Sequence, residues 1–397
     1  MRWLTVCLYV VLVGISLAGC TSERQKLHED VLTSAGLQTY WERQLTLEPD
    51  ESIAEIHLVN DTLYCLTDRN NLIAVDALRG LLAWTRKIAP VGQTVFAPIH
   101  ADKVPLTEKV TGVAEITDPS KASVPTMYDT VMINTLSDVL VMDRTNGRVI
   151  RKIPFDFSAN TSGSSDGKYF YVGSTRGWYY AILLAEAVKG WWLSGDGMIS
   201  APVKLFGRRL YVADEGGNLI ITATGRKGEK LRTVKLSGSV TAEFHVDELG
   251  CFVPCDDNRL YAFDLSGNRL WEQPFVCQGP LRQAVQVAGN TIFQFASDDK
   301  FYAIDRRTGQ ARWSHPTGRR VLAVIGGEVY LLSRSNSLMI VDELLGTVKA
   351  SFPMTGWDLL LSNTSVPALY VATTDGRLAC IRKISAGRLT PQMLEKR

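Results

Sequence analysis

Short bursts of alternating apolar and polar residues run the length of this chain, each closed by a turn residue. In residues 301–313, FYAIDRRTGQARW, an alternating strand ends in Ala303 and Asp305, a tight Thr308–Gly309 turn follows, and Trp313 closes the run. Period-two alternation predicts half-buried β-strands, and glycine supplies a turn backbone that other residues resist. The unit of strand, turn, strand, Gly turn and strand occurs eight times, with second strands anchored at Tyr64, Val131, Tyr171, Tyr211, Phe252, Phe293, Tyr330 and Tyr370. Six of the seven intervals lie between 37 and 41 residues, and the other is 67. A fixed period near 40 with short strands predicts a propeller or a related array.

An aspartate falls twelve residues after the anchor in five units: Asp76, Asp143, Asp264, Asp305 and Asp342. Units three and four have Leu183 and Ala223 there and read as degenerate. The pattern Ala-x-Asp-x-x-x-Gly-x-x-x-Trp stands complete at Ala74, Asp76, Gly80 and Trp84, and again at Ala303, Asp305, Gly309 and Trp313. Unit five carries it one residue shorter, as Ala262, Asp264, Gly267 and Trp271, and unit two keeps Asp143 and Gly147 but has Arg151 for the tryptophan. These are structural residue types. The Gly permits a tight turn, the Asp accepts from exposed turn amides, and the Trp covers the neighbouring blade with a large apolar face. The last unit runs out near Arg382 with three strands, while Tyr40 to Leu45, YWERQL, places a Trp41 strand ahead of unit one. The expected fold is therefore all-β: an eight-bladed β-propeller of four-stranded antiparallel blades over residues 39–384, closed by an N-terminal strand that abolishes free edges. Residues 385–397 are left as a tail.

The repeat resembles the tryptophan-docking motif of the PQQ-like β-propellers, over residues from about 40 to 384. Two functional classes share that fold: quinoprotein dehydrogenases, and the BamB family of non-enzymatic outer-membrane β-barrel assembly lipoproteins. The resemblance to BamB implies a scaffold that binds the assembly core subunit, or other envelope proteins, through loops on one face near blades three and four. The corresponding loop here is Leu193 to Ser200, LSGDGMIS, which makes Leu193, Asp196 and Met198 candidate partner-binding residues. A dehydrogenase resembling that family would need a stacking platform, a calcium site and a catalytic aspartate, and most also have adjacent cysteines. This chain has no Cys-Cys pair and none of the long insertions that build such a pocket in those enzymes. The expectation is no catalytic residue, no cofactor and no metal; a dehydrogenase subunit or another cell-envelope binding module stays open as the alternative.

The N-terminus reads as a separate object. Arg2 precedes an apolar stretch, WLTVCLYVVLVGI, and then Leu17-Ala18-Gly19-Cys20. The stretch is short for a membrane span, as in a secretory signal. Its ending resembles the bacterial lipobox, which implies removal of residues 1–19 and lipidation of Cys20, with an uncleaved anchor as the alternative. Thr21 in place of Asp implies sorting to the outer membrane, on its periplasmic side. Residues 20–38 then form a tether with a short helical stretch around Glu29 to Ser34. Of seven cysteines, Cys65, Cys251, Cys255, Cys277 and Cys380 would remain besides Cys20. Five is odd, and most read as small buried hydrophobes.

A net charge of +2 and five histidines point to no nucleic-acid partner and no histidine-rich metal centre, and the protein is expected as a monomer within a complex. His57 and His245 fall on innermost strands, with His100 and Lys204 in matching register, and read as histidines hydrogen-bonded between blades. In unit two, His100 and Val131 are 31 residues apart where the register predicts 7, so an insertion lies within 101–129. Partner docking and a plain solvated hairpin both fit it. Second-to-third-strand turns carry Asp68, Asp138, Glu215, Asp256, Asp257, Asp298, Asp299 and Asp375. Third-to-fourth-strand turns carry Arg79, Arg144, Arg148, Lys189, Arg226, Lys227, Arg269, Arg306, Arg307 and Arg312. That sorting predicts a polarised disc whose basic face, from which the tether leaves, meets the membrane.

Overall fold

The computed structural model describes residues 29–106, 125–225, 227–297, 300–387 and 389–390. Cys20 and the expected signal segment 1–19, the centre of the insertion at 107–124, Arg226, Asp298 and Asp299 lie outside the described residues.

Alternating sequence becomes eight four-stranded antiparallel sheets, seven of them simple meanders. Blades one to seven span 53–87, 99–154, 164–194, 204–235, 245–276, 286–315 and 318–353. The eighth combines residues 359–383 with the strand Leu37–Gln44, which pairs antiparallel with Arg377–Lys383. All eight anchor residues sit on second strands, and all are buried. Eight apolar clusters fill the molecule, one at each seam between neighbouring blades, including the seam of blades eight and one built by Trp41, Leu63, Cys65, Tyr370 and Cys380. The ring is closed, and its stability resides in seams, because a sheet buries its apolar faces only against its neighbours.

The closing strand begins at Leu37, two residues before the expected domain start. Ahead of it, residues 29–34 are helical and packed down: Leu32 is fully buried with Leu37 against Leu322, Ile325 and Tyr330. The flanks of the insertion are hairpin arms. Leu106 pairs with Thr126 and Val104 with Tyr128, and both apolar residues are buried in the seam of blades two and three. The five cysteines named above are buried and form no disulfide bridge, and burial pushes the thiols of Cys65 and Cys255 up to about 12.

Candidate functional site

The motif residues meet at the seams. Trp84, on the last strand of blade one, lays its indole on Gly147 in the third-to-fourth turn of blade two, and its Nε1–H donates to the Arg144 carbonyl at 2.9 Å. A Cβ on Gly147 would fall 2.5 Å from the indole, and the glycine backbone has φ +67. Trp41 does the same to Gly80 and the Ala77 carbonyl, Trp271 to Gly309 and the Arg306 carbonyl, and Trp313 to Gly346 and the Glu343 carbonyl. The turns are held from inside by their aspartates: Asp76 Oδ1 accepts from the amides of Leu78 and Arg79, and Asp264 Oδ1 from those of Ser266 and Asn268. Asp305 also accepts two bonds from Arg312, which with the turn amides hold its carboxyl down at about 2.

Reading unit three as degenerate missed Trp191. It docks on Gly228 and donates to the Gly225 carbonyl at 2.9 Å. The signal was present: Ala181, Leu183, Ala187 and Trp191 keep the spacing of Ala74, Asp76, Gly80 and Trp84, with alanine in the glycine place at φ +58. Facing that alanine is Arg151, which fills the tryptophan position of blade two and donates to the carbonyls of Leu184 and Ala185. Where the turn carries a Cβ, the flat indole is replaced by a slender guanidinium that reaches the same carbonyls. A second repeated device also escaped the sequence: at the end of the second strand a side-chain oxygen accepts from the amide four residues on, at Thr67, Ser174, Asp214, Ser333 and Thr373.

The candidate loop is fastened to blade four. The Asp196 amide donates to Asp214 Oδ2 at 2.9 Å, and its carboxylate accepts from Asn218 Nδ2 at 3.1 Å. A Cβ on Gly195 or Gly197 would meet Asp214 or the Gly216 backbone at 2.4 Å. Asp196 and Met198 are exposed on the second-to-third-turn face. Leu193 instead packs partly buried against the seam of blades three and four. The exposed indoles of Trp178 and Trp192 stand nearby on blade three and were not singled out in the sequence.

Two expectations are corrected. His57 and His245 do not bridge blades: each pairs with a carboxylate two residues away on its own strand, Glu55 at 3.0 Å and Asp247 at 2.9 Å. The bridging histidine is His100 of blade two. Asn60 Nδ2 and Arg144 Nη1 both donate to its Nδ1, which leaves Nε2–H to donate to Tyr64 Oη of blade one at 2.7 Å. Burial, and then the Arg144 charge, push its pKa down to about 4. The expected basic face is less basic than its turns suggest. First- and second-strand residues reach it too, and acids there pair with some of its cations: Arg306 with Asp247, Arg144 with Asp102, and Lys383 with Glu328. Arg306 is itself buried, so it belongs to the seam rather than to a surface.

The His100 geometry makes stability depend on pH. Its folded pKa lies below the ordinary 6.5, so the unfolded chain takes the proton first as pH falls. The contribution is complete above pH 6.5 and lost between 6.5 and 4, about 2 kcal/mol after allowance for partial solvent exposure. His100→Gln is expected to lower the urea midpoint at pH 7 and to flatten its fall toward pH 4.5. An equally steep fall in the variant would remove His100 as the cause.

Among the described residues, no group of three or more His, Cys, Asp or Glu is placed to hold a metal ion. A surface cavity of about 460 Å³ lies between blades six and seven, lined by Asn290, Arg312, Asp342, Glu343 and Lys349; Arg312 pairs with Asp305, and Asp342 with Lys349.

Two of the solved structures that this chain resembles illustrate the likeness. BamB from Moraxella catarrhalis superposes with a TM-score of 0.62 at 14% identity, over 87% of this chain and 97% of that one. The computationally designed Ika8 protein gives 0.60, also at 14% identity, over 85% and 98%. At such identity these show the fold. A search of curated proteins finds no match. Residues 185–320 and 217–392, together just over half of the chain, match the family model described as outer membrane protein assembly factor BamB, and the chain belongs to that family.

Proposed function

We propose that this protein is a non-catalytic scaffold lipoprotein, anchored through Cys20 to the periplasmic side of the outer membrane, that holds partners during assembly of outer-membrane β-barrel proteins. The observation that carries the reading is how the motif residues are used. The repeat's tryptophans and glycines, and most visibly its aspartates, hold turns and seams, which leaves exposed connector residues such as Asp196 and Met198 as the surface able to select a partner. Family membership supports the same reading.

The test is site-specific photo-cross-linking from position 198 in living cells. The expected result is an adduct with the barrel-assembly core subunit, together with reduced outer-membrane barrel levels when the protein is depleted. Purified protein mixed with the quinone and calcium should show neither a cofactor absorbance band nor dye-linked alcohol or sugar oxidation. Turnover above background, or normal barrel levels on depletion, would overturn the proposal.

A further inference from the structure

The backbone enters the fold from one defined face. Leu37 pairs with Lys383 at the end of the third strand of blade eight, so the chain before it leaves on the side of the third-to-fourth-strand turns. It does not swing free there. Leu32 is fully buried against blades seven and eight, and the Ile384 amide donates to the Gly36 carbonyl at 2.9 Å, which fastens the exit to the disc. Only eight residues separate Cys20 from Glu29. At full stretch they reach about 30 Å. A tether expected to run to residue 38 is thus cut by half, and its root is fixed.

Most of the exposed large aliphatic side chains among the described residues stand on this same face. Leu344 and Leu345, at the tip of the blade-seven turn, are 66% and 73% exposed. Leu78 and Leu82 in blade one and Leu270 in blade five, all beside the equivalent turns, are between 42% and 52% exposed. Nothing in the packing of a turn requires leucine at its tip; the equivalent place in blade six is Arg307. The charges beside these leucines pair with one another, as at Arg79–Asp76 and Lys349–Asp342, so the surface around them is aliphatic and nearly neutral.

We propose that this face rests on the lipid bilayer that carries the anchor, with the turn-tip leucines entering the boundary between headgroups and acyl chains. The occupant is a lipid surface, chosen by where the chain leaves and how little of it remains. Its balanced charge suits zwitterionic headgroups, so seating needs no anionic lipid. The opposite face, with Asp196 and Met198, then points into the periplasm. The inference rests on the lipoprotein reading, and its test is built to separate the two.

The chain from Cys20 onward, which contains every described residue, is coupled through Cys20 to a maleimide lipid in phosphatidylcholine vesicles. The other cysteines of that chain are buried, so Cys20 is the reactive thiol. Chemical coupling supplies the anchor whether or not cells lipidate it; lipidation itself is read separately, as loss of fatty-acid label in Cys20→Ser. Hydrogen–deuterium exchange is compared with the same protein uncoupled. Peptides spanning 76–82 and 342–348 are expected to exchange at least threefold more slowly on vesicles, and peptides spanning 135–139 and 255–259 to be unchanged. Replacing Leu78, Leu344 and Leu345 by Ser should abolish the difference without changing the melting curve of the uncoupled protein. Equal protection on both faces, protection on neither, or protection that appears only with anionic lipid would each overturn the proposal.

Discussion

Removing residues 38–46 is expected to lower the melting temperature by more than about 5 °C and to send the protein into aggregates. The deleted strand supplies Trp41, whose indole lies on Gly80 and donates to the Ala77 carbonyl at 3.1 Å, and it pairs from Leu37 to Gln44 with the last strand of the chain. Burial of one tryptophan alone is worth about 3–5 kcal/mol. Each kcal/mol moves the melting temperature of a domain this large by roughly 1–2 °C, and the lost strand pairing adds to the loss of the tryptophan. The loss also uncovers the backbone edge of Arg377–Lys383, and a bare edge templates pairing between molecules. Calorimetry and light scattering read both effects. A synthetic peptide of residues 37–46 added during refolding should recover part of the loss. An unchanged melting curve in the deletion variant would show that the ring does not depend on this strand.

The second large effect concerns the docking seams. Gly147→Ala places a Cβ about 2.5 Å from the Trp84 indole, at a backbone φ of +67 that alanine resists. Overpacking and left-handed strain together should cost roughly 3 kcal/mol. The natural seam of blades two and three already tolerates alanine, at Ala187, and there the docking residue is Arg151. Adding Trp84→Arg to Gly147→Ala should therefore restore part of the stability, although Trp84→Arg alone is destabilising. The double-mutant cycle is expected to show a favourable coupling of at least about 1 kcal/mol. Simple additivity of the two losses would mean that the arginine seam does not work by matching the turn.

The fold was legible because a propeller repeats its instructions. Eight anchors at nearly constant spacing set blade count and strand order, and the stray YWERQL segment announced the closure. What the sequence hid were substitutions that keep a job while changing the residue. Leu183 stands in the aspartate place and Ala187 holds a left-handed turn that glycine usually marks, so a pattern demanding Asp and Gly passed over Trp191, while Arg151 of blade two reaches carbonyls that an indole usually reaches. The roles of histidines were hidden for a different reason. His57, His100 and His245 share one register, yet only His100 faces a tyrosine of the neighbouring blade, Tyr64, and an arginine turned toward it, Arg144. Charge sorting failed because counting Lys and Arg by turn left out the first-to-second turns, whose Asp247 and Glu328 sit on the same side of the disc. The candidate loop was legible only as a place. Its attachment to Asp214 and Asn218 depends on a turn in the next blade that nothing in LSGDGMIS predicts.

The closing strand also has a consequence in time. Leu37 is among the first described residues a ribosome would make, and its partner Lys383 is among the last. The strand translated first is the strand placed last. Closure joins positions some 346 residues apart, and ordering so large a loop before any reward arrives makes the final step slow. A chain cut short before Arg377 has nothing for its own beginning to pair with, so Trp41 stays uncovered and an edge stays open. The ring therefore inspects its own length: only a chain that reaches its last strand can hide Trp41, and every copy cut short before that strand exposes it.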